Sequence, residues 1–105
     1  MTNILLVEDD KTLASNLIEF LHSVGYAVQN APGQTMALQL MEQQTFDLVL
    51  LDISLADGNG FTVCSAIKAN YGTPVIFLTA SGDEYSTITG FELGADDFVV
   101  EPFDM

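Results

Sequence analysis

Hydrophobic residues along this chain fall into two kinds of pattern, short unbroken apolar runs and longer segments with an apolar residue every three or four positions. Asn3-Ile4-Leu5-Leu6-Val7, Leu48-Val49-Leu50-Leu51, Pro74-Val75-Ile76-Phe77-Leu78 and Phe98-Val99-Val100 are runs of the first kind. A run without polar alternation reads as a strand buried on both faces, the habit of a parallel sheet covered by helices. Residues 26–31 alternate loosely and predict a short strand nearer a sheet edge. Between the runs, Leu13, Leu17, Phe20, Leu21 and Val24 recur at helical spacing, and Gly25 supplies a stop. Met36, Ala37, Leu40 and Met41 mark a second helix after Pro32-Gly33, and the Met pair reads as core packing. Phe61, Cys64 and Ile67 mark a third, after the Gly-rich loop Asp57-Gly58-Asn59-Gly60. A weaker helical pattern covers 83–93 and stops at Gly94.

Strands separated by helices with short connections pair in parallel through right-handed crossovers. The prediction is therefore an α/β domain over residues 1–105, a doubly wound parallel sheet of five strands. The chain stops directly after the fifth strand, where one more helix is needed to cover that strand's apolar face. The expectation is a domain truncated there with its final helix missing, the cover coming from elsewhere.

Strands of this kind carry functional residues at their carboxyl ends. Glu8-Asp9-Asp10 follows the first run, Asp52 ends the third strand, Thr79-Ala80-Ser81 the fourth and Glu101-Pro102-Phe103 the fifth. Singly, each has a plain explanation: Asp52, for one, suits a cap on the following turn. Together they border one crevice, since neighbouring strand tips lie about 5 Å apart. Clustered carboxylates repel, and a hard divalent cation relieves the repulsion. Mg²⁺ fits best, because it keeps several waters and takes one or two carboxylates plus phosphate oxygens. A metal-neutralised Asp52 beside a hydroxyl has the means to attack a phosphoryl group and form an aspartyl phosphate. His22 lies off the apolar stripe and reads as a solvated helix residue.

Charge narrows the partners. Fifteen acids face only Lys11 and Lys68, giving a formal charge of −13. Such a surface repels phosphate backbones and anionic lipid, so direct nucleic-acid or membrane-surface binding is disfavoured. Cys64 is single, which excludes an internal disulfide and points to a reducing compartment, and Cys64 itself reads as a small buried hydrophobe. No apolar run approaches the roughly 20 residues of a membrane span, and the amino terminus lacks a basic and then apolar leader pattern. The expected location is cytoplasmic.

The segments Leu5-Leu6-Val7-Glu8-Asp9-Asp10, Leu51-Asp52-Ile53-Ser54-Leu55-Ala56-Asp57-Gly58-Asn59-Gly60, Val75-Ile76-Phe77-Leu78-Thr79-Ala80 and Gly94-Ala95-Asp96-Asp97-Phe98-Val99-Val100-Glu101-Pro102-Phe103 resemble the receiver domains of bacterial two-component response regulators. The likeness runs through the whole chain in order. It implies the flavodoxin-like strand order 2-1-3-4-5. It also implies that Asp52 accepts phosphate from the phosphohistidine of a sensor histidine kinase. Asp9 is then the direct Mg²⁺ ligand, Glu8 an acid acting through water, and Ser54 a backbone-carbonyl ligand. Thr79 supplies the hydroxyl that follows the phosphoryl oxygen, with the Ala80 N–H beside it. Phe98 is the aromatic that turns inward when Thr79 moves, so that phosphorylation favours a pre-existing active conformation. Such a domain is a phosphoacceptor rather than an enzyme in its own right, although it assists its own phosphorylation and dephosphorylation.

Two positions depart from the family. Ala56 stands where the loop usually has Pro, and Glu101 stands where a Lys normally precedes Pro-Phe. That Lys pairs with the acceptor and then with the phosphoryl oxygens. Exchanging a cation for an anion about 4 Å from a phosphoryl group shifts the energy by several kcal/mol at an effective dielectric near 20. Weaker or shorter-lived phosphorylation follows. A rival reading is a pseudo-receiver that signals by protein contacts alone. An aspartate-based phosphatase is more distant, because its second Asp is replaced here by Ser54. The loop 55–61 and Gly94-Ala95-Asp96-Asp97 look like the subfamily whose receivers precede a winged-helix DNA-binding domain and form homodimers. No Lys or Arg after Lys68 answers Asp96 and Asp97, so either the missing final helix supplies the bases or that dimer is weakened.

Overall fold

Five strands form one parallel sheet in the order β2-β1-β3-β4-β5, as the sequence and its resemblance predicted. The strands are β1 (Asn3–Val7), β2 (Ala27–Ala31), β3 (Leu48–Asp52), β4 (Val75–Thr79) and β5 (Asp97–Val100). Three helices intervene, α1 (Lys11–Ser23), α2 (Gln34–Gln43) and α3 (Gly60–Asn70). This computed structural model describes residues 2–53, 55–79 and 97–100, with Thr79 and 97–100 described by backbone alone. The predicted helix over 83–93 and the segment Glu101-Pro102-Phe103 lie outside the described residues.

Alternation along the strands divides the core into two layers. Leu5, Val7, Val49, Leu51, Val75 and Phe77 pack with Ala37 and Met41 of α2 and Val63, Cys64 and Ile67 of α3. On the other face Leu6 and Leu78 meet Ala14 and Leu17 of α1, with Leu13, Ile18, Val28 and Leu50 at the margin. The first layer is sealed, since these six strand residues and Ala31 of β2 have no exposed surface. The second is thinner, and Leu48, Leu50 and Ile76 are only half-buried. Cys64 is buried in the first layer and His22 is exposed, as expected.

Two residues assigned to the buried stripe of α1 are not buried: Phe20 is 41% exposed and Val24 54%. The stripe that meets the sheet is centred between Leu17 and Leu21, and Phe20 sits roughly 90° around the helix from its middle. Val24 fails for a different reason, because the helix has already ended and Val24 is its C-cap. Gly25 then turns left-handed, with φ 97°, and donates its N–H to His22 O at 3.0 Å, while Tyr26 N–H reaches Leu21 O at 3.0 Å. That pair of bonds is a Schellman closure, which favours glycine at this position. β2 accordingly starts at Ala27, one residue later than predicted, and leaves Tyr26 exposed. None of the helices searched among the described residues is long and apolar enough to cross a membrane.

Phe77 lies at the centre of the sealed layer, its ring edge-on to Phe61 with centroids 5.4 Å apart. Phe77→Ala is expected to cost about 3–5 kcal/mol, a large share of the roughly 5–15 kcal/mol that holds a small domain folded. Equilibrium urea denaturation checks this.

Candidate functional site

The three acids after β1 are consecutive in sequence and separate in role. Asp10 is the N-cap of α1, its Oδ1 accepting the N–H groups of Thr12 at 3.0 Å and Leu13 at 3.1 Å. Glu8 is 3% exposed. Its N–H continues the ladder to Ala31 O at 3.0 Å, and its Oε1 accepts the Asp10 N–H at 3.0 Å. Asn30 braces the same tip from β2, its Nδ2 donating to Leu6 O at 2.9 Å and Glu8 O at 3.2 Å. Asp9 is exposed, and its Oδ2 accepts the Ala56 N–H at 2.9 Å.

Register brings the fourth acid to the same level. Val7 pairs with Leu51, so the next residue on each strand, Glu8 and Asp52, end side by side. Asp52 is half-buried at the end of β3. One carboxylate oxygen each from Glu8, Asp9 and Asp52 lies within 4.8 Å of the others. At that separation two like charges repel by roughly 3 kcal/mol at an effective dielectric near 20, and by less where exposed Asp9 is involved. The donor set is all oxygen, anionic and held on one side by a buried residue. It therefore fits a hard divalent cation such as Mg²⁺.

The segment after Asp52 is pinned from several directions. Gly60 opens α3 and donates its N–H to Ile53 O at 2.9 Å. A Cβ on Gly60 would collide with the Asp52 carbonyl oxygen and lie 2.7 Å from Ile53 Cα, so only glycine lets the helix start this close to the end of β3. Asn59 caps α3, its Oδ1 accepting the Phe61 N–H at 2.7 Å, while its own N–H donates to Gln34 Oε1 at 3.2 Å. Asp57 serves α2: its carbonyl accepts the Gln34 N–H at 2.9 Å and its Oδ2 the Thr35 N–H at 3.0 Å.

Of the predicted site residues, the structure brings Glu8, Asp9 and Asp52 together. Thr79 is placed by its backbone, one residue beyond Leu78, the partner of Asp52, and opposite Val100. Phe98 is placed by its backbone opposite Phe77. Ser54, Ala80 and Glu101 lie outside the described residues. The cap made by Asp10 was legible, because an Asp directly before the first periodic segment is a helix start signal. The link from Asp57 to α2 spans 22 residues and carries no local signal. A cavity of about 320 Å³ lined by Met41, Phe46, Tyr71, Thr73 and their neighbours lies by the opposite ends of β3 and β4, and none of the acids lines it.

Sheet order and an acid cluster at the carboxyl edge define a flavodoxin-like α/β domain. Residues 4–105 match the response regulator receiver domain family, and the chain belongs to it. It is thus a signalling module of the two-component type. The chain is 42% identical over 104 residues to the transcriptional regulatory protein CpxR of Escherichia coli, covering 99% of this chain and 44% of that protein. It is 39% identical over 105 residues to the response regulator ArlR of Staphylococcus saprophyticus, covering 100% of this chain and 48% of that protein. It spans about half the length of these curated relatives. The non-phosphorylated receiver domain of HemR from Leptospira biflexa superposes with a TM-score of 0.92 at 41% identity, covering 99% of this chain and 85% of that one.

Gly60→Ala is expected to destabilise the chain by about 1–3 kcal/mol, because neither the Asp52 carbonyl nor the Ile53 backbone is free to retreat. Asp10→Ala is expected to cost about 1 kcal/mol through the lost cap. Thermal unfolding of the two variants beside the parent chain measures both.

Proposed function

We propose that this chain is the phosphoacceptor receiver of a two-component phosphorelay, taking phosphate on Asp52 from a sensor histidine kinase and switching a downstream effector. The observation that carries the proposal is the convergence of Glu8, Asp9 and Asp52 oxygens within 4.8 Å at the carboxyl edge of the sheet. An Asp52 carboxylate oxygen attacks the phosphorus of the kinase phosphohistidine. The new O–P bond forms as the P–N bond breaks, and the departing imidazole takes up a proton. Hydrolysis reverses the state: water attacks the acyl phosphate, inorganic phosphate leaves and the carboxylate is restored. Mg²⁺, when bound, would supply positive charge to offset the carboxylates and the phosphoryl group. By the family resemblance Asp9 would hold the ion directly, Glu8 would act through water and Ser54 would offer its carbonyl. Thr79 and the Ala80 N–H receive the phosphoryl oxygens, and Phe98 follows Thr79 as the switch.

Family likeness and the charge of −13 support a cytoplasmic signalling role in which the segment itself binds neither nucleic acid nor membrane. A DNA-binding output domain in the full-length protein is supported by relatives such as CpxR, a transcriptional regulatory protein of about twice this length. Homodimerisation is part of the same proposal. One residue favours a second reading: Glu101 in the family's Lys position supports a pseudo-receiver that acts by protein contacts without phosphate.

Incubation with acetyl phosphate and Mg²⁺, read by intact mass, tests the assignment. Addition of one phosphate to the parent chain, none to Asp52→Asn, and a higher and longer-lived yield in Glu101→Lys is the expected result. No phosphorylation of either the parent or Glu101→Lys would overturn it. Without metal, Asp9→Asn is expected to melt higher than the parent because one like-charge repulsion is gone. Mg²⁺ should then raise its melting temperature far less than it raises the parent's.

A further inference from the structure

The loop between β3 and α3 is fastened at two adjacent residues. Ala56 donates its N–H to Asp9 Oδ2 at 2.9 Å. Asp57, the next residue, holds the first two N–H groups of α2 with its carbonyl and its Oδ2. α2 has no cap of its own, because Gly33 stands at its N-cap position without a side chain. The seat is fitted closely: a Cβ on Gly33 would come within 2.6 Å of Asp57 Cβ. Gly58 then turns with φ 89° against Gln34, and the Gln34 side chain returns to the Asn59 N–H.

From this geometry we infer that Asp57 is a positioning residue for the cation site. By gripping α2 it fixes the Ala56 N–H, and that N–H orients Asp9 towards Glu8 and Asp52. Asp9 is exposed, so rotamer freedom is part of what cation binding must overcome. The Ala56 N–H removes that freedom before the ion arrives. The inference rests on the reading of the acid cluster as a cation site.

Asp57→Ala and Asp57→Asn separate positioning from charge. Both remove the same negative charge, but Asn keeps an oxygen that accepts the Thr35 N–H. Mg²⁺ is titrated calorimetrically into the parent and both variants, and the exchange rate of the Ala56 amide is measured by NMR in the metal-free proteins. Intact mass confirms that the introduced amide, which precedes glycine, is retained. Asp57→Ala is expected to bind Mg²⁺ about 3- to 10-fold more weakly and to exchange the Ala56 amide about tenfold faster. Asp57→Asn is expected to stay within about twofold of the parent in both. Equal weakening in the two variants would assign the effect to lost charge and overturn the inference. So would unchanged affinity in Asp57→Ala. Failure of the parent to take up Mg²⁺ would instead defeat the underlying cation reading.

Discussion

Like charges forced together by strand pairing are the condition from which the site follows. Glu8 and Asp52 stand level because β1 and β3 pair in parallel with Val7 opposite Leu51, and Asp9 is one residue further along the chain. Their repulsion opposes that pairing, yet it is small beside what holds the strands. Leu5, Val7, Val49 and Leu51 are all fully buried, and each such side chain contributes on the order of 1.5–3 kcal/mol. The apolar layer thus keeps anions closer than they would stay by themselves.

Around this cluster the helices act as fixtures. α1 begins from Asp10, so the acid beside the ligand pair is used to start a helix. α3 begins against the Asp52 carbonyl, which glycine at position 60 permits. α2 begins from Asp57, in the loop that also reaches Asp9. All three helices start at the carboxyl edge of the sheet, where their first N–H groups carry partial positive charge. The result is a crevice whose acids are held by backbone donors while Asp52 stays half-buried at the strand end.

Membership of the receiver family makes the departures informative. Ala56 replaces a proline of the family pattern, and its N–H is the group that reaches Asp9. A proline has no such donor, so the tether between loop and acid belongs to this chain's own sequence. Glu101 is the larger change in sequence, an acid where the family pattern has Lys. Glu8, Asp9 and Asp52 themselves match the family pattern.

Continuous apolar runs in strands and three-to-four spacing in helices were enough to expect a parallel α/β sheet, because burial on both faces leaves no room for polar alternation. Acids at the ends of those runs were enough to nominate Glu8, Asp9 and Asp52, because parallel strands bring their carboxyl ends to one edge. Periodicity misjudged Phe20 and Val24, since spacing names a stripe but not its centre or the residue where the helix stops. Which of the other acids would be buried and which would face the loop was decided only by folding. Glu8, Asp9 and Asp10 are carboxylates on adjacent positions, and the backbone turns each of them towards a different partner. The Asp57 grip on α2 is likewise tertiary, for it joins residues that the chain itself keeps 22 positions apart.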